Sequence, residues 1–297
     1  MLSICIPVYN KKVKRLHSEL IEAAKLFTLS YEIIIIDDAS KDKYRIENSK
    51  LQSNNTKYIQ LDKNIGRAAI RNLFTKYANF EYLLFLDCDS RLVNNSFLEN
   101  YAKILHNNHK IILGGSIYPN IPPTLKYRLH WKYGKKHESL SNNKLKQAVL
   151  KTNNFIIKTS ILQNHRFDLR VKGYGHEDTL MGVQLKKAGY EIFTFNNPVI
   201  NSEPDHNIVF LRKTEQAVKN LWNIIEFTED KQLFINEVKL LRTYYKIKKP
   251  GLIPLLKLIA IVKLKPIRYL LCIGFNSIFL FNIYKLLILI KSKPKSL

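Results

Sequence analysis

Asp87 and Asp89 stand two residues apart at the end of the apolar run Tyr82-Leu-Leu-Phe-Leu86. A continuous apolar run bounded by polar residues reads as a strand covered on both faces. In an open α/β sheet, side chains at the carboxyl end of such a strand line the ligand crevice. Hard divalent cations take carboxylate oxygens and keep positions for substrate phosphates, so an Asp-x-Asp there suits a metal that clamps a nucleotide diphosphate. An Asx-type turn with no ligand accounts for the same residues equally well.

Three further polar clusters follow apolar runs and reach the same edge: Pro7-Val8-Tyr9-Asn10, Asp37-Asp38 and Asn64-Ile65-Gly66-Arg67. An Asp after the second strand offers an acceptor to a nucleobase or a ribose. Gly66 at a helix N-terminus, with Arg67 and Arg71 one turn apart, offers amides and cations to a diphosphate. Taken singly, Asp37-Asp38 and Arg67 are more often loop-end and solvent-facing residues. No G-x-G-x-x-G follows the first strand, so a dinucleotide-binding unit is not indicated.

The stretch Gly173-Tyr174-Gly175-His176-Glu177-Asp178 opens a helix. Its glycines permit a tight turn and close approach of substrate. Glu177 and Asp178 sit where the helix dipole keeps a carboxylate ionised. Beside an acceptor hydroxyl such a carboxylate is a general base; by itself the pair is more commonly an N-cap.

The elements that must position these residues alternate along the chain. Strands are expected at Leu2 to Val8, Glu32 to Ile36, Lys57 to Leu61 and Tyr82 to Leu86, with helices over Val13 to Leu29 and Gly66 to Ala78. That order implies right-handed crossovers and a mostly parallel sheet. A helix over Phe97 to Leu105 and a strand at Lys110 to Leu113 follow. Regularity then fades from Tyr118 to Lys146, where aromatic and basic residues mix, and resumes over Ala148 to Lys158 with a strand at Asn153 to Ile157. Beyond it come a helix over Thr179 to Ala188 stopped by Gly189, a strand at Tyr190 to Phe195 and an amphipathic helix over Val209 to Phe227.

The 297 residues are 46% hydrophobic, enough for a sizeable core, and carry a net charge of +24. Such a charge implies an anionic partner. It is uneven: from Val238 onward there are thirteen Lys or Arg and no Asp or Glu. The breaker cluster Lys248-Lys249-Pro250-Gly251 sets a boundary. The chain then divides into 1–247, with halves meeting near 115, and an apolar, basic helical tail over 248–297. The tail's longest uncharged run, Tyr269 to Tyr284, is too short to span a bilayer. It suits helices lying in a membrane interface, or a helical subdomain packed on the rest. Three scattered cysteines without C-x-x-C spacing, and a first segment that reads as a strand rather than a signal peptide, point to the cytoplasm.

Together these residues resemble a known family. The chain is similar to family 2 glycosyltransferases, nucleotide-sugar transferases of GT-A fold that invert the anomeric centre. The likeness covers about Leu2 to Leu221 and rests on I-P-V-Y-N, I-I-I-D-D-A-S, N-I-G-R-A-A-I-R-N, D-C-D and G-Y-G-H-E-D in that order. It implies an α/β, Rossmann-like fold with a mostly parallel central sheet flanked by helices, the tail lying outside the shared core. It also implies that Pro7 and Tyr9 line the nucleobase pocket, Asp38 contacts the base, and Asp87 meets the ribose or the metal. Asp89 would then ligate Mg²⁺ or Mn²⁺, Asp178 act as base and Glu177 position the acceptor.

One position departs from the pattern. Relatives often carry His in a P-V-x-H context as a further metal ligand, where this chain has Asn201. His206, Asp205 and water are the candidates to replace it.

The expected activity is transfer from a UDP-sugar to a hydroxyl of a saccharide or lipid-linked acceptor, in surface-polysaccharide or glycolipid assembly. The expected location is the cytoplasmic face of an anionic membrane. A polyprenyl-phosphate acceptor is the nearer rival, against which the Glu-Asp pair argues. A basic nucleic-acid-binding protein is the rival of another class. No recognised nucleic-acid motif supports it, so nucleic acid is not expected as a partner.

Overall fold

The computed structural model describes residues 1–139 and 150–294. The chain forms two compact units that interleave in sequence. The first comprises Met1–Pro119, Glu138–Leu169 and Gln184–Glu203; the second comprises Asn120–His137, Arg170–Val183 and Pro204–Leu297. The linear division near 115 and 247 does not follow this interleaving, because later segments return to extend the first unit's sheets.

The first unit is built on a seven-stranded sheet. In chain order its strands are β1 (Leu2–Val8), β2 (Tyr31–Asp37), β3 (Thr56–Gln60), β4 (Tyr82–Leu86), β6 (Ile111–Leu113), β8 (Asn154–Lys158) and β9 (Phe193–Thr194); β5 (Ser90–Leu92), β7 (Ser116–Ile117) and β10 (Val199–Asn201) form a second, three-stranded sheet. The large sheet runs β3-β2-β1-β4-β8-β6-β9, and only β8 is reversed, pairing antiparallel with both β4 and β6. The mostly parallel α/β architecture read from the sequence is therefore the one observed. Ile33 to Ile36 and Leu83 to Leu86 are fully buried, as strands covered on both faces require. The crossover helices are α1 (Lys14–Ala24), α2 (Asp42–Ser49), α3 (Arg67–Tyr77), α4 (Phe97–Leu105) and α6 (Thr159–Asn164). On α1, Leu16, Leu20 and Ala23 form the buried stripe.

Strand order fixes where the sheet opens. From β1 the chain winds outward through β2 to β3, then returns to place β4 on the other side of β1. The switch point lies between β1 and β4. β1 pairs with β2 along all seven residues, but with β4 only from Leu2 to Cys5. Pro7 has no N–H to give that ladder and lies just past the point where pairing stops.

The second unit is helical: α5 (Leu125–His137), α8 (Asn207–Phe227), α9 (Lys231–Glu237), α10 (Lys239–Lys248), α11 (Ile253–Ile273) and α12 (Ile278–Lys291), together with the start of α7 (Glu177–Lys187). α5 is a helix where sequence regularity fades, because its apolar positions are few; Leu129 is buried and Tyr133 lies against the same core. Residues 140–149, which take in the end of that stretch and the start of the segment expected over Ala148 to Lys158, lie outside the described residues. Trp222, Tyr244, Phe281 and Leu289 are buried together, and the Trp222 indole donates to the Leu289 carbonyl at 2.8 Å. Gly274, in the left-handed region, ends α11 and turns the chain into α12. Of the two apolar tail helices, α12 thus belongs to a packed core. Among the described residues no helix is long and apolar enough to cross a membrane.

Candidate active site

In the first unit the strand-end loops are tied together by side chains. The Asp38 amide donates to the Val8 carbonyl, 2.8 Å, joining the ends of β1 and β2. The Asp38 carboxylate accepts from the amides of Ile65 at 2.7 Å and Gly66 at 3.0 Å, and Asn64 Nδ2 donates to the Asp38 carbonyl at 3.1 Å. Burial pushes the Asp38 carboxyl above its ordinary range, against the pull of those amides. Asp38 therefore shapes the turn that leads into α3. Gly66 makes that turn with φ +83°, a conformation that side chains disfavour. Asp37 is wholly buried and accepts from the Ser40 amide and the Tyr58 hydroxyl, so its role is internal. Tyr9 is exposed and Pro7 half-buried at the mouth of the β1/β4 opening.

Asp87 to Ser90 form a turn closed by the Ser90 amide on the Asp87 carbonyl at 3.0 Å. The turn and ligand readings of Asp-x-Asp are thus compatible. The Asp87 side chain is 30% exposed and that of Asp89 38%. Burial, then the neighbouring Asp87 charge, raise the Asp89 carboxyl above its ordinary value. Two hard oxygen donors that repel one another fit Mg²⁺ or Mn²⁺, which would neutralise them. Among the described residues no group of three or more His, Cys, Asp or Glu is arranged to hold a metal. Coordination here would be completed by substrate oxygens and water.

Arg71 and Arg67 do not act as a matched pair. Arg71 is 1% exposed and sends Nη2 to Asp87 Oδ1 at 3.4 Å and Nη1 to the Arg67 carbonyl at 3.1 Å, with its guanidinium over the Phe167 ring. It braces Asp87 from within. Arg67, one turn nearer the helix start, is half-exposed, and its charge is felt at Cys88 together with that of Lys11.

Lys11 is a residue that sequence reasoning missed. Its ammonium lies 2.8 Å from Glu203 Oε2 and 3.8 Å from Asp89 Oδ2. Burial disfavours that charge, but Glu203 and Asp89 outweigh it and hold Lys11 above its ordinary value. Glu203 arrives because β10 pairs antiparallel with β5 and sets Asn201 opposite Ser90. Asn201 is therefore next to the Asp-x-Asp turn, with a carboxylate two residues beyond it.

His206 and Asp205 belong to the second unit. His206 caps α8, its Nδ1 accepting from the Ile208 amide at 3.3 Å, with its ring edge-on to Tyr127. Asp205 binds Lys213 at 2.7 Å.

The Gly-rich turn before α7 also lies in the second unit. Gly173, Gly175 and His176 have φ of +76°, +101° and +72°. The turn is held by α8: Asn220 Nδ2 donates to the carbonyls of Lys172 at 2.9 Å and Tyr174 at 3.1 Å. A Cβ on Gly175 would stand 2.4 Å from Ala217 Cβ and 3.0 Å from its Cα. Glu177 and Asp178 occupy the first turn of α7, where the helix dipole favours their charge. Asp178 Oδ1 accepts from the Thr179 amide at 2.7 Å. Burial pushes the His176 imidazole down to about 4. A neutral ring thus precedes the two carboxylates. Asn220 and Ala217 carry no sequence signal beyond their place on an amphipathic helix.

Comparison with known proteins bears on both parts. The family model "Glycosyl transferase family 2" matches residues 3–169, more than half the chain. That span holds the β1/β4 edge and stops before Gly173. Among curated proteins, the chain is 35% identical over 119 residues to the poly(ribitol-phosphate) beta-N-acetylglucosaminyltransferase TarP of Staphylococcus aureus, covering 38% of this chain and 36% of TarP. It is 26% identical over 124 residues to the UDP-Glc:alpha-D-GlcNAc-diphosphoundecaprenol beta-1,3-glucosyltransferase WfgD of Escherichia coli, covering 39% of this chain and 49% of WfgD. The alignments thus span less than half of either relative. Among solved structures, the mannosyltransferase PcManGT of Pyrobaculum calidifontis, in complex with GDP-Man and Mn²⁺, superposes with a TM-score of 0.54 at 14% identity, covering 95% of this chain and 85% of that one. This last likeness is one of fold.

Proposed function

Since the chain belongs to glycosyltransferase family 2, we propose that it moves a sugar from a nucleotide-sugar donor, a UDP-sugar, to a hydroxyl of a saccharide or lipid-linked acceptor. The observation that carries this reading is the β1/β4 opening, where Lys11 lies 3.8 Å from Asp89 and Arg71 holds Asp87. A diphosphate needs cations, and a nucleoside needs a half-open pocket with polar edges. Pro7 and Tyr9 offer the pocket wall, Asn64 and the Asp38-braced turn its edge, and Lys11 and Arg67 the positive charge. Arg71 keeps Asp87 oriented from below. Asp87 and Asp89 would hold Mg²⁺ or Mn²⁺, with Glu203 holding the Lys11 ammonium beside them; the bound ion would neutralise charge on the leaving diphosphate.

Asp178 is the proposed base, supported by its place in the first turn of α7, where the dipole keeps it ionised. Its carboxylate takes the proton of the acceptor hydroxyl as that oxygen attacks the anomeric carbon. The bond from that carbon to the diphosphate oxygen breaks on the opposite face, so configuration inverts without an enzyme nucleophile. Glu177 orients the acceptor. The same reading places the protein peripherally on the inner face of an anionic membrane, in surface-polysaccharide or glycolipid assembly, where acceptors of this class are built.

A panel of nucleotide sugars, with and without Mn²⁺, scored for released nucleoside diphosphate, tests the proposal. Metal-dependent release from one or two UDP-sugars supports it. No release from any donor, with salt-sensitive retention of random DNA, would replace it with a nucleic-acid-binding function.

A further inference from the structure

The membrane part of the reading above rests on the apolar, basic composition of the tail; the second unit supplies a surface for it. Helix α11 buries one line of residues, with Ala260 and Leu271 fully buried and Leu256, Leu264 and Ile267 beside them. The opposite face is uncovered, and apolar but for the exposed Lys265, which falls beside Leu258 on the helical wheel. Leu258 is 61% exposed, Val262 59% and Tyr269 66%, with Leu255 and Ile261 alongside. Just past the helix, Phe275 and Phe279 are also exposed. A contiguous apolar patch of this kind on a water-facing helix marks a docking site.

The charges around the patch name its occupant. At 3.6 residues per turn, Lys257 and Lys263 fall about 60° to either side of the buried line, flanking the outward face on both edges. That is the arrangement in which lysine stems lie along apolar surface while their ammoniums reach headgroups. No Asp or Glu occurs from Val238 onward. A second copy docking through this face would set lysines against lysines with no carboxylate from either tail to answer them. Positive charge is already crowded at the helix start: burial and the charges of Lys248 and Lys257 hold the Lys293 ammonium below its ordinary value. The exposed aromatics at the other end suit the interfacial layer. With charges inside its length, α11 cannot span a bilayer.

We propose that the outward face of α11 docks the protein on an anionic lipid bilayer, the helix lying in the plane of the interface with Leu258 and Val262 inserted. The inference specifies the membrane component of the proposed function and does not depend on the transfer chemistry.

The test is co-sedimentation of the full chain with vesicles of phosphatidylcholine alone or mixed with phosphatidylglycerol. Binding is expected with the mixed vesicles, weakened by salt. Leu258→Glu with Val262→Glu should abolish it. Lys257→Gln, Lys263→Gln and Lys265→Gln together should weaken it roughly 100-fold, about fivefold per lysine. All these side chains are exposed, so unchanged melting temperatures are expected, and Leu258→Gln is the milder variant should the double change unfold the protein. Failure of the native chain to bind mixed vesicles, or equal binding by the variants, overturns the proposal. So does a dimer in solution that Leu258→Glu dissociates while vesicle binding persists. Nucleoside-diphosphate release, measured on the same variants without vesicles, should be unchanged; its absence in the native chain would count against the transferase reading and leave the docking result standing.

Discussion

Substituting Gly175 separates two costs that are usually merged. Its φ of +101° penalises any side chain, by about 1–2 kcal/mol for alanine. The new Cβ would also stand 2.4 Å from Ala217 Cβ and 3.0 Å from Ala217 Cα, which is backbone-anchored on α8 and cannot turn aside. Overpacking of that kind adds about 1–3 kcal/mol, so Gly175→Ala is expected to cost roughly 2–5 kcal/mol. Gly173→Ala meets a nominally closer atom, Gln216 Nε2 at 1.8 Å, but that is the end of a flexible side chain that can swing away. Only the φ penalty of about 1–2 kcal/mol should remain there. Gly189, with φ +80° and nothing near its missing Cβ, is the control for φ alone. Thermal and urea unfolding of the three variants should rank Gly175→Ala well below the other two. Adding Ala217→Gly should recover stability in the Gly175→Ala background, although by itself it costs about 1 kcal/mol of helix propensity. The turn carries Glu177 and Asp178, so turnover should fall with Gly175→Ala and return with the suppressor. Equal stability of Gly175→Ala and Gly189→Ala would refute the claim that α8 holds this turn by contact.

Arg71→Met removes the buried partner of Asp87; because Asp87 keeps some solvent, about 2 kcal/mol is expected rather than the 3–5 of a wholly buried pair. A double-mutant cycle with Asp87→Asn should show at least ~1 kcal/mol of coupling, and strict additivity would remove the pairing from the account. His176 has its folded value lowered from 6.5 to about 4, so the unfolded chain binds the extra proton in between. Its contribution is present above pH 6.5 and lost as pH falls towards 4, by up to about 3 kcal/mol. His176→Asn, which tolerates positive φ, should flatten that part of the melting-temperature profile, and parallel profiles would contradict the burial of the ring. Glu203→Gln is expected to weaken Mn²⁺ binding to the UDP-loaded protein about tenfold by paramagnetic resonance titration. His206→Ala should instead lower the melting temperature through loss of the α8 cap, and the reverse pattern would return the imidazole to the metal.

The sheet was legible because its strands are buried on both faces: Ile33 to Ile36 and Leu83 to Leu86 leave no other reading. The Asp-x-Asp turn was legible for the same reason, being the polar stop to such a run. What periodicity could not reveal were the short pieces. β5 and β10 have three residues each, too few for a pattern, yet their pairing brings Glu203 and Asn201 to the site. Arg67 and Arg71 look equivalent at i and i+4, and only the packing of α3 shows that one is interior and the other at the rim. Asn220 reads as one polar residue on an amphipathic helix, although it holds two carbonyls of the Gly-rich turn. The tail's composition left interfacial helices and a packed helical subdomain both open, and the structure divides them: α12 is largely core and the uncovered face belongs to α11.

Donor binding at the β1/β4 edge and proton removal by Asp178 are separated by comparing Asp178→Asn with the native chain in two assays at once. UDP affinity by calorimetry in the presence of Mn²⁺ should be unchanged, while turnover falls roughly 10²- to 10⁴-fold, the usual cost of losing a positioned general base. Near-native turnover in Asp178→Asn, or a loss of UDP affinity matching the loss of turnover, would contradict the division of labour.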